Sequence, residues 1–82
     1  MPGFGKISVI GPANRDVYFK GIYDAEATRL GADGKSETDI TAPLGEHTLV
    51  TIVDTIAFEI DHEGVGEILS DNQHIEIELE LV

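Results

Sequence analysis

The 82-residue chain has no cysteine and no tryptophan, few basic residues, and no long apolar run. Without cysteine, a disulfide-stapled mini-protein, a zinc–thiolate site and a cysteine nucleophile are excluded. Five Lys and Arg stand against 16 Asp and Glu, a net charge of −11. That balance opposes direct nucleic-acid binding through a basic face. No apolar stretch reaches the length of a transmembrane helix or of a secretory signal core, so membrane insertion is not expected. The lack of cysteine fits a reducing cytoplasm and salt-adapted surface proteins alike.

What is present is modest. Apolar residues make 41% of the chain, and 22 residues are Ile, Leu or Val. This is enough for one small core and too little for two. No repeat, low-complexity segment or linker interrupts the chain, so residues 1–82 are read as a single domain. Met1 reads as the start of a small complete protein, with an accessory domain of a larger one as the alternative.

Charge is unevenly placed. Residues 1–35 hold all five basic residues (Lys6, Arg15, Lys20, Arg29, Lys35) and four acids, a net of +1, while residues 36–82 hold twelve acids, a net of −12. Three readings follow: a solvated acidic surface, an adaptation to high salt, or a face that docks a basic partner or imitates nucleic acid.

The hydrophobic pattern predicts strands. Ile, Val and Thr together make 22 residues, the β-branched bias of pleated surfaces. From His74 to Leu81 apolar residues hold every odd position and polar ones every even position, a period of two. Ile7 and Val9 predict a first strand, and Val17 and Phe19 a second. Thr48, Val50 and Ile52 form another, and Ile56, Phe58 and Ile60 a further one in the same parity. One straight strand through both would put Asp54 on the core face, so a turn or bulge near Val53-Asp54-Thr55 is expected. Asp33-Gly34 predicts a type I′ hairpin, Pro43-Leu44-Gly45 a break, and His62-Glu63-Gly64 and Ser70-Asp71-Asn72-Gln73 further turns. Asp24 to Leu30 is ambiguous: Ala25, Ala27 and Leu30 fit a helical turn, but the neighbouring strands favour an extended segment. The expected fold is all-β, a small antiparallel Greek-key sandwich of about seven strands.

The order of Gly21 to Leu30, then Ala32-Asp33-Gly34-Lys35, then Ala42-Pro43-Leu44-Gly45-Glu46-His47-Thr48-Leu49 resembles the transthyretin-like or carboxypeptidase-regulatory-like sandwich. It is also similar to the PEGA domain in its Pro43-x-Gly45-x-His47 motif, but lacks that family's Gly–aromatic pair after the His47 strand. The resemblance implies a non-catalytic accessory, adhesion or assembly module, an analogy of fold rather than of function.

Catalytic chemistry finds little support. His47, His62 and His74 lack the spacing of same-face metal ligands. There is no Gly-x-Ser-x-Gly elbow, and nothing in the sequence places a serine beside a histidine and an acid. Gly64-Val65-Gly66 lacks the further Gly and Lys of a phosphate loop. No enzyme activity is expected. A calcium cluster of Asp33, Asp54 and Asp71 is an option if their three turns share one end of the fold; otherwise no cofactor is expected.

The last strand carries the site prediction. His74, Glu76, Glu78 and Glu80 share one face as a ladder of like charges, which either protects an edge strand or docks Lys and Arg of a partner. A neighbouring copy offering Arg15 and Lys20 is one such partner. The expected function is therefore a non-enzymatic structural or protein-binding module in a homo- or hetero-oligomeric multi-copy assembly, such as a virion or cell-surface structure. The alternative is an acidic inhibitor or DNA mimic that covers a basic site. A virion or the cell surface is the expected location, and the cytoplasm the alternative.

Overall fold

The computed structural model describes residues 3–82; Met1 and Pro2, and the reading of Met1 as an initiator, lie outside them. Eight strands form two sheets: β1 (Phe4–Ile10), β2 (Asp16–Phe19), β3 (Thr28–Arg29), β4 (Ile40–Pro43), β5 (Gly45–Ile52), β6 (Ile60–Ile68), β7 (His74–Glu78) and β8 (Glu80–Leu81). One sheet has the order β4-β1-β7 and the other β3-β2-β5-β6-β8. The architecture is the expected all-β sandwich, and no helix occurs among the described residues.

The pairing is not wholly antiparallel. β7 runs parallel to β1, with Lys6 opposite His74, Ser8 opposite Glu76 and Ile10 opposite Glu78. The reason is topological. β6 lies in the five-stranded sheet, and residues 69–73 carry the chain across to the other sheet, so β7 enters beside β1 in the same direction.

The chain also changes sheet at Leu44 and at Leu79. The first corner is Pro43-Leu44-Gly45, the expected break. Gly45 adopts φ +123°, a conformation that side chains resist. His47 then donates from Nε2 to the Pro43 carbonyl at 2.7 Å and clamps the corner. At the second corner Leu79 is buried, and its N–H bonds the Ile10 carbonyl.

The main core lies between the sheets and gathers Ile7, Val9, Val17, Leu30, Ile40, Ala42, Leu49, Ile68, Ile77 and Leu79. Glycine makes the tightest contact possible. A Cβ on Gly64 would sit 2.6 Å from the Glu78 carbonyl oxygen, and one on Gly66 would sit 2.7 Å from Ile77. β6 is therefore pressed against β7, with isoleucines of one strand filling space that glycines of the other vacate. This corrects the expected turn at His62-Glu63-Gly64, which is the middle of β6.

β5 is buried on both faces, because Leu49, Val50, Thr51 and Ile52 are all sequestered. The expected inward parity is reversed here. Leu49 belongs to the main core, while Val50 and Ile52 join Tyr18 in a second cluster on the outer face of the sheet, covered by Tyr23 and Ile60. The predicted strand at Ile56, Phe58 and Ile60 is also corrected, since β6 begins only at Ile60. Asp54 Oδ1 accepts the Ile56 N–H at 2.9 Å, and the Asp54 carbonyl accepts the Phe58 N–H at 2.6 Å. These local bonds outcompete a ladder and produce the expected turn after Val53.

At Asp33-Gly34 only Gly34 has positive φ, at +76°. Gly34 N–H bonds the Gly31 carbonyl and Gly31 N–H bonds the Lys35 carbonyl. Ala32 and Asp33 are thus the central residues and Gly34 the left-handed residue that follows, rather than the second centre of a type I′ turn.

Candidate functional site

The β7 prediction is partly a single surface. His74, Glu76 and Glu78 are exposed and alternate with Ile75 and Ile77, so they line the outer face of the three-stranded sheet. Glu80 belongs to β8 instead, where it stands opposite Glu63 in the five-stranded sheet. The ladder is therefore divided at Leu79, and Leu81 beyond it is exposed rather than buried.

β1 adds a serine to this face. Ser8 Oγ lies 2.6 Å from His74 Nε2 and 3.0 Å from Asp39 Oδ1. A serine, a histidine and an acid therefore do meet, against the sequence expectation, because parallel pairing brings residue 8 beside residue 74. The order of contacts differs from that of an activated nucleophile. The hydroxyl has one proton, and pointing it at Asp39 satisfies the carboxylate. With the hydroxyl proton pointed at Asp39, the contact to His74 is made by the tautomer that carries its proton on Nε2, and that nitrogen then has no lone pair for the serine proton. The acid approaches that same nitrogen, at 3.9 Å. General-base activation requires the opposite donor order, with the acid on the other ring nitrogen. Beside the cluster a groove of about 260 Å³ is lined by Ser8, Lys35, Ser36, Asp39 and Glu76 among others.

The other outer face is acidic in a different way. Glu46 stands directly opposite Glu67 on β5 and β6, and Glu63 opposite Glu80. Like charges in such positions destabilise a sheet. Lys20 relieves one of them by bonding Glu63 at 2.9 Å, and this carboxylate holds the ammonium pKa above its usual value.

The sequence expected Arg15 and Lys20 to serve a neighbouring copy, but both are engaged within the chain. Arg15 grips Asp61 with both guanidinium nitrogens, at 2.8 and 3.0 Å, and also reaches the Ile52 carbonyl at 2.9 Å. Buried Thr51 donates to the same carboxylate at 2.6 Å. Burial pushes the Asp61 carboxyl up, but hydrogen bonds from Arg15 and Thr51 and the Arg15 charge outweigh it and hold the pKa at about 2. Asp61 can point there because a bulge at Thr51/Ile52 inserts an extra residue into β6. Arg29 similarly binds Asp16 at 2.7 Å. Asp16 is held below its usual range by hydrogen bonding with Glu26 and by Arg29, while Asp16 raises Glu26.

Asp33, Asp54 and Asp71 do not converge. Each carboxylate accepts a backbone N–H, from Lys35, Ile56 and Phe4 respectively. Among the described residues no group of three His, Asp or Glu is placed to hold a metal. The three histidines are also separate: His47 clamps a corner, His74 meets Ser8, and His62 lies beside Asp61 at 3.3 Å.

One surface escaped sequence reading altogether. Tyr23 and Phe58 stack at 4.9 Å between centroids, and Tyr18 meets Tyr23 edge-on at 5.9 Å. Residues 20–24 and 53–59 meet there, and Ile22, Val53, Ile56 and Phe58 are left exposed. Its alternating pattern resembled a buried strand, and the only contrary signal was Asp54.

The chain matches no protein-family model, no curated protein and no solved structure.

Proposed function

We propose that the chain is a non-enzymatic, protein-binding β-sandwich that docks a basic partner in a multi-copy assembly, such as a virion or cell-surface structure. The observation that carries this reading is the surplus of unneutralised carboxylates arranged in opposed pairs. Among the described residues three ion pairs join a Lys or Arg to a carboxylate, those of Arg15, Lys20 and Arg29, against 16 acids in the chain. Glu46/Glu67 costs stability in the free chain, and Glu80 faces Glu63, whose charge Lys20 already offsets, so a partner's cations would relieve Glu46 and Glu67 and, to a smaller extent, Glu80. With Arg15 and Lys20 consumed internally, a different chain supplies those cations better than a second copy does. The donor order at Ser8 and His74 supports a non-catalytic role for that cluster. The transthyretin-like resemblance belongs to the same proposal and rests on the Pro43–Gly45–His47 corner.

The test is sedimentation velocity of the pure chain with and without poly-lysine, at about 0.1 M and about 2 M salt. Binding at low salt that is lost on reversing Glu46, Glu67 and Glu80 to Lys supports the reading. Binding unaffected by those reversals overturns it. If the chain instead competes with DNA for a DNA-binding enzyme as a free monomer, the inhibitor reading replaces it.

A further inference from the structure

We propose that the groove between residues 20–24 and the 53–59 loop seats a bulky apolar side chain of a partner segment that carries Lys or Arg on either side of it. This rests on the protein-binding reading and names where, and by what chemistry, the partner is anchored. The groove is a shallow, open depression of about 580 Å³ lined by Gly21, Ile22, Tyr23, Asp24 and Phe58. Ile56 is 88% exposed, Val53 62%, Ile22 56% and Phe58 49%. Single exposed apolar residues are ordinary, but Ile22 and Phe58 face one groove from adjoining loops, and Val53 and Ile56 are exposed on the same loop as Phe58, a clustering of the kind that marks interaction sites.

The patch is held in shape. Val53 N–H bonds the Glu59 carbonyl at 2.8 Å, which closes the loop that Asp54 already braces at Ile56 and Phe58. Phe58 occupies φ +53°, a left-handed conformation that strains a bulky residue. The stack on Tyr23 holds the ring there, so the fold spends backbone strain on a half-exposed aromatic. Rigid aromatic anchors of this type dominate binding energy because little entropy is lost when they engage.

Charge selects the occupant. Asp24, Asp54 and Glu59 border the apolar side chains, and no Lys, Arg or His lies within 4 Å of their carboxylates among the described residues. A partner segment with basic residues flanking its apolar side chain complements both parts of the site. A second copy offers apolar side chains but not the flanking cations. Three of its cations are already paired, and Lys6 and Lys35 stand beside His74 and Ser8 on the other sheet.

The experiment titrates the ¹⁵N-labelled full chain with the peptides Lys-Lys-Phe-Lys-Lys, Lys-Lys-Gly-Lys-Lys and Glu-Glu-Phe-Glu-Glu. The expected result is saturable shifts at Ile22, Tyr23, Ile56 and Phe58 with the first peptide, and binding at least about tenfold weaker with the other two. Phe58→Ala and, separately, Ile22→Ser should each weaken the first peptide about tenfold while the amide spectrum stays dispersed. Lys-Lys-Phe-Lys-Lys leaving these residues unmoved overturns the inference. Concentration-dependent shifts of the same residues without peptide also overturn it, because the occupant is then a second copy. If both lysine peptides bind only along β5 and β6, the protein-binding reading survives and the anchor fails. If no peptide binds at low salt, both fail.

Discussion

The two faces of the five-stranded sheet bury apolar side chains by different means. The inner face, with Val17, Leu49 and Ile68, lies under a whole second sheet and is filled from both sides. The outer face shelters Tyr18, Val50 and Ile52 under little more than Tyr23 and Ile60. The inner cover has a backbone ladder to hold it, whereas the outer cover is side chains and loop. Cohesion of the fold therefore resides between the sheets. The outer cluster is where an 82-residue chain has apolar surface to spare for contact.

The largest test of this difference is Gly64→Val. Even a single Cβ there meets Glu78 O at 2.6 Å and Ile77 Cγ2 at 2.7 Å, and the branched side chain forces the sheets apart. We expect loss of the cooperative melt by circular dichroism, a cost of about 4 kcal/mol or more. A cooperative transition within a few degrees of wild type would mean that β6 does not lie against β7.

Next come neighbouring residues on opposite faces. Leu49 and Val50 are both fully buried. Leu49→Ala should cost about 3 kcal/mol, because the rigid inter-sheet core cannot collapse around the cavity. Val50→Ala should cost about 1 kcal/mol, since fewer atoms are removed and Tyr23 and the outer loop can relax inward. Equal shifts of the urea midpoint after scaling by atoms removed would erase the distinction between the faces.

Arg15 and Asp61 stand at the bulged end of β5 and β6, where the two regions meet. Asp61 is held at about 2 in the folded chain against 3.8 for an ordinary aspartate. Its folded pKa is depressed, so its contribution is fully present above about pH 4 and fades as pH falls toward 2. The size is about 2 kcal/mol. Asp61→Asn should therefore be less stable than wild type at pH 6, and the gap should narrow as pH falls from 4 toward 2. A gap of constant size across that range would mean that the carboxylate charge contributes nothing.

Much of the inner face was legible and little of the outer. Ile7, Val9, Ile77 and Leu79 alternate with polar residues because one side of their strands is wet, and period two reports that condition directly. β5 is dry on both sides, so parity cannot say which of Leu49 and Val50 faces the second sheet. Gly64 looked like a turn residue, since close approach of another strand leaves the same local signature as a bend. The Ser8–His74–Asp39 cluster depends on the parallel pairing of strands 66 residues apart, which no local pattern encodes. The apolar loop mimicked a strand because Ile56, Phe58 and Ile60 happen to alternate, whereas the Asp54 side chain decided its conformation.

The smallest expected effect separates adaptation from recognition on the outer face. Glu67 faces Glu46 across β5 and β6. Replacing a repulsive cross-strand pair by an attractive one is worth about 0.5 kcal/mol in a sheet. Glu67→Lys should therefore stabilise the free chain by about that amount at about 0.1 M salt, and by almost nothing at about 2 M, where screening shortens the range of exposed charges to roughly 2 Å. The urea midpoint at the two salt concentrations checks this. A gain at low salt, together with poly-lysine binding that falls on the same substitution, would mean that Glu46 and Glu67 are kept at a cost to folding because a cationic partner uses them. A gain at low salt with poly-lysine binding unchanged would assign the pair to life in salt, where the repulsion carries almost no cost, and would leave the apolar groove as the surface from which to search for the partner.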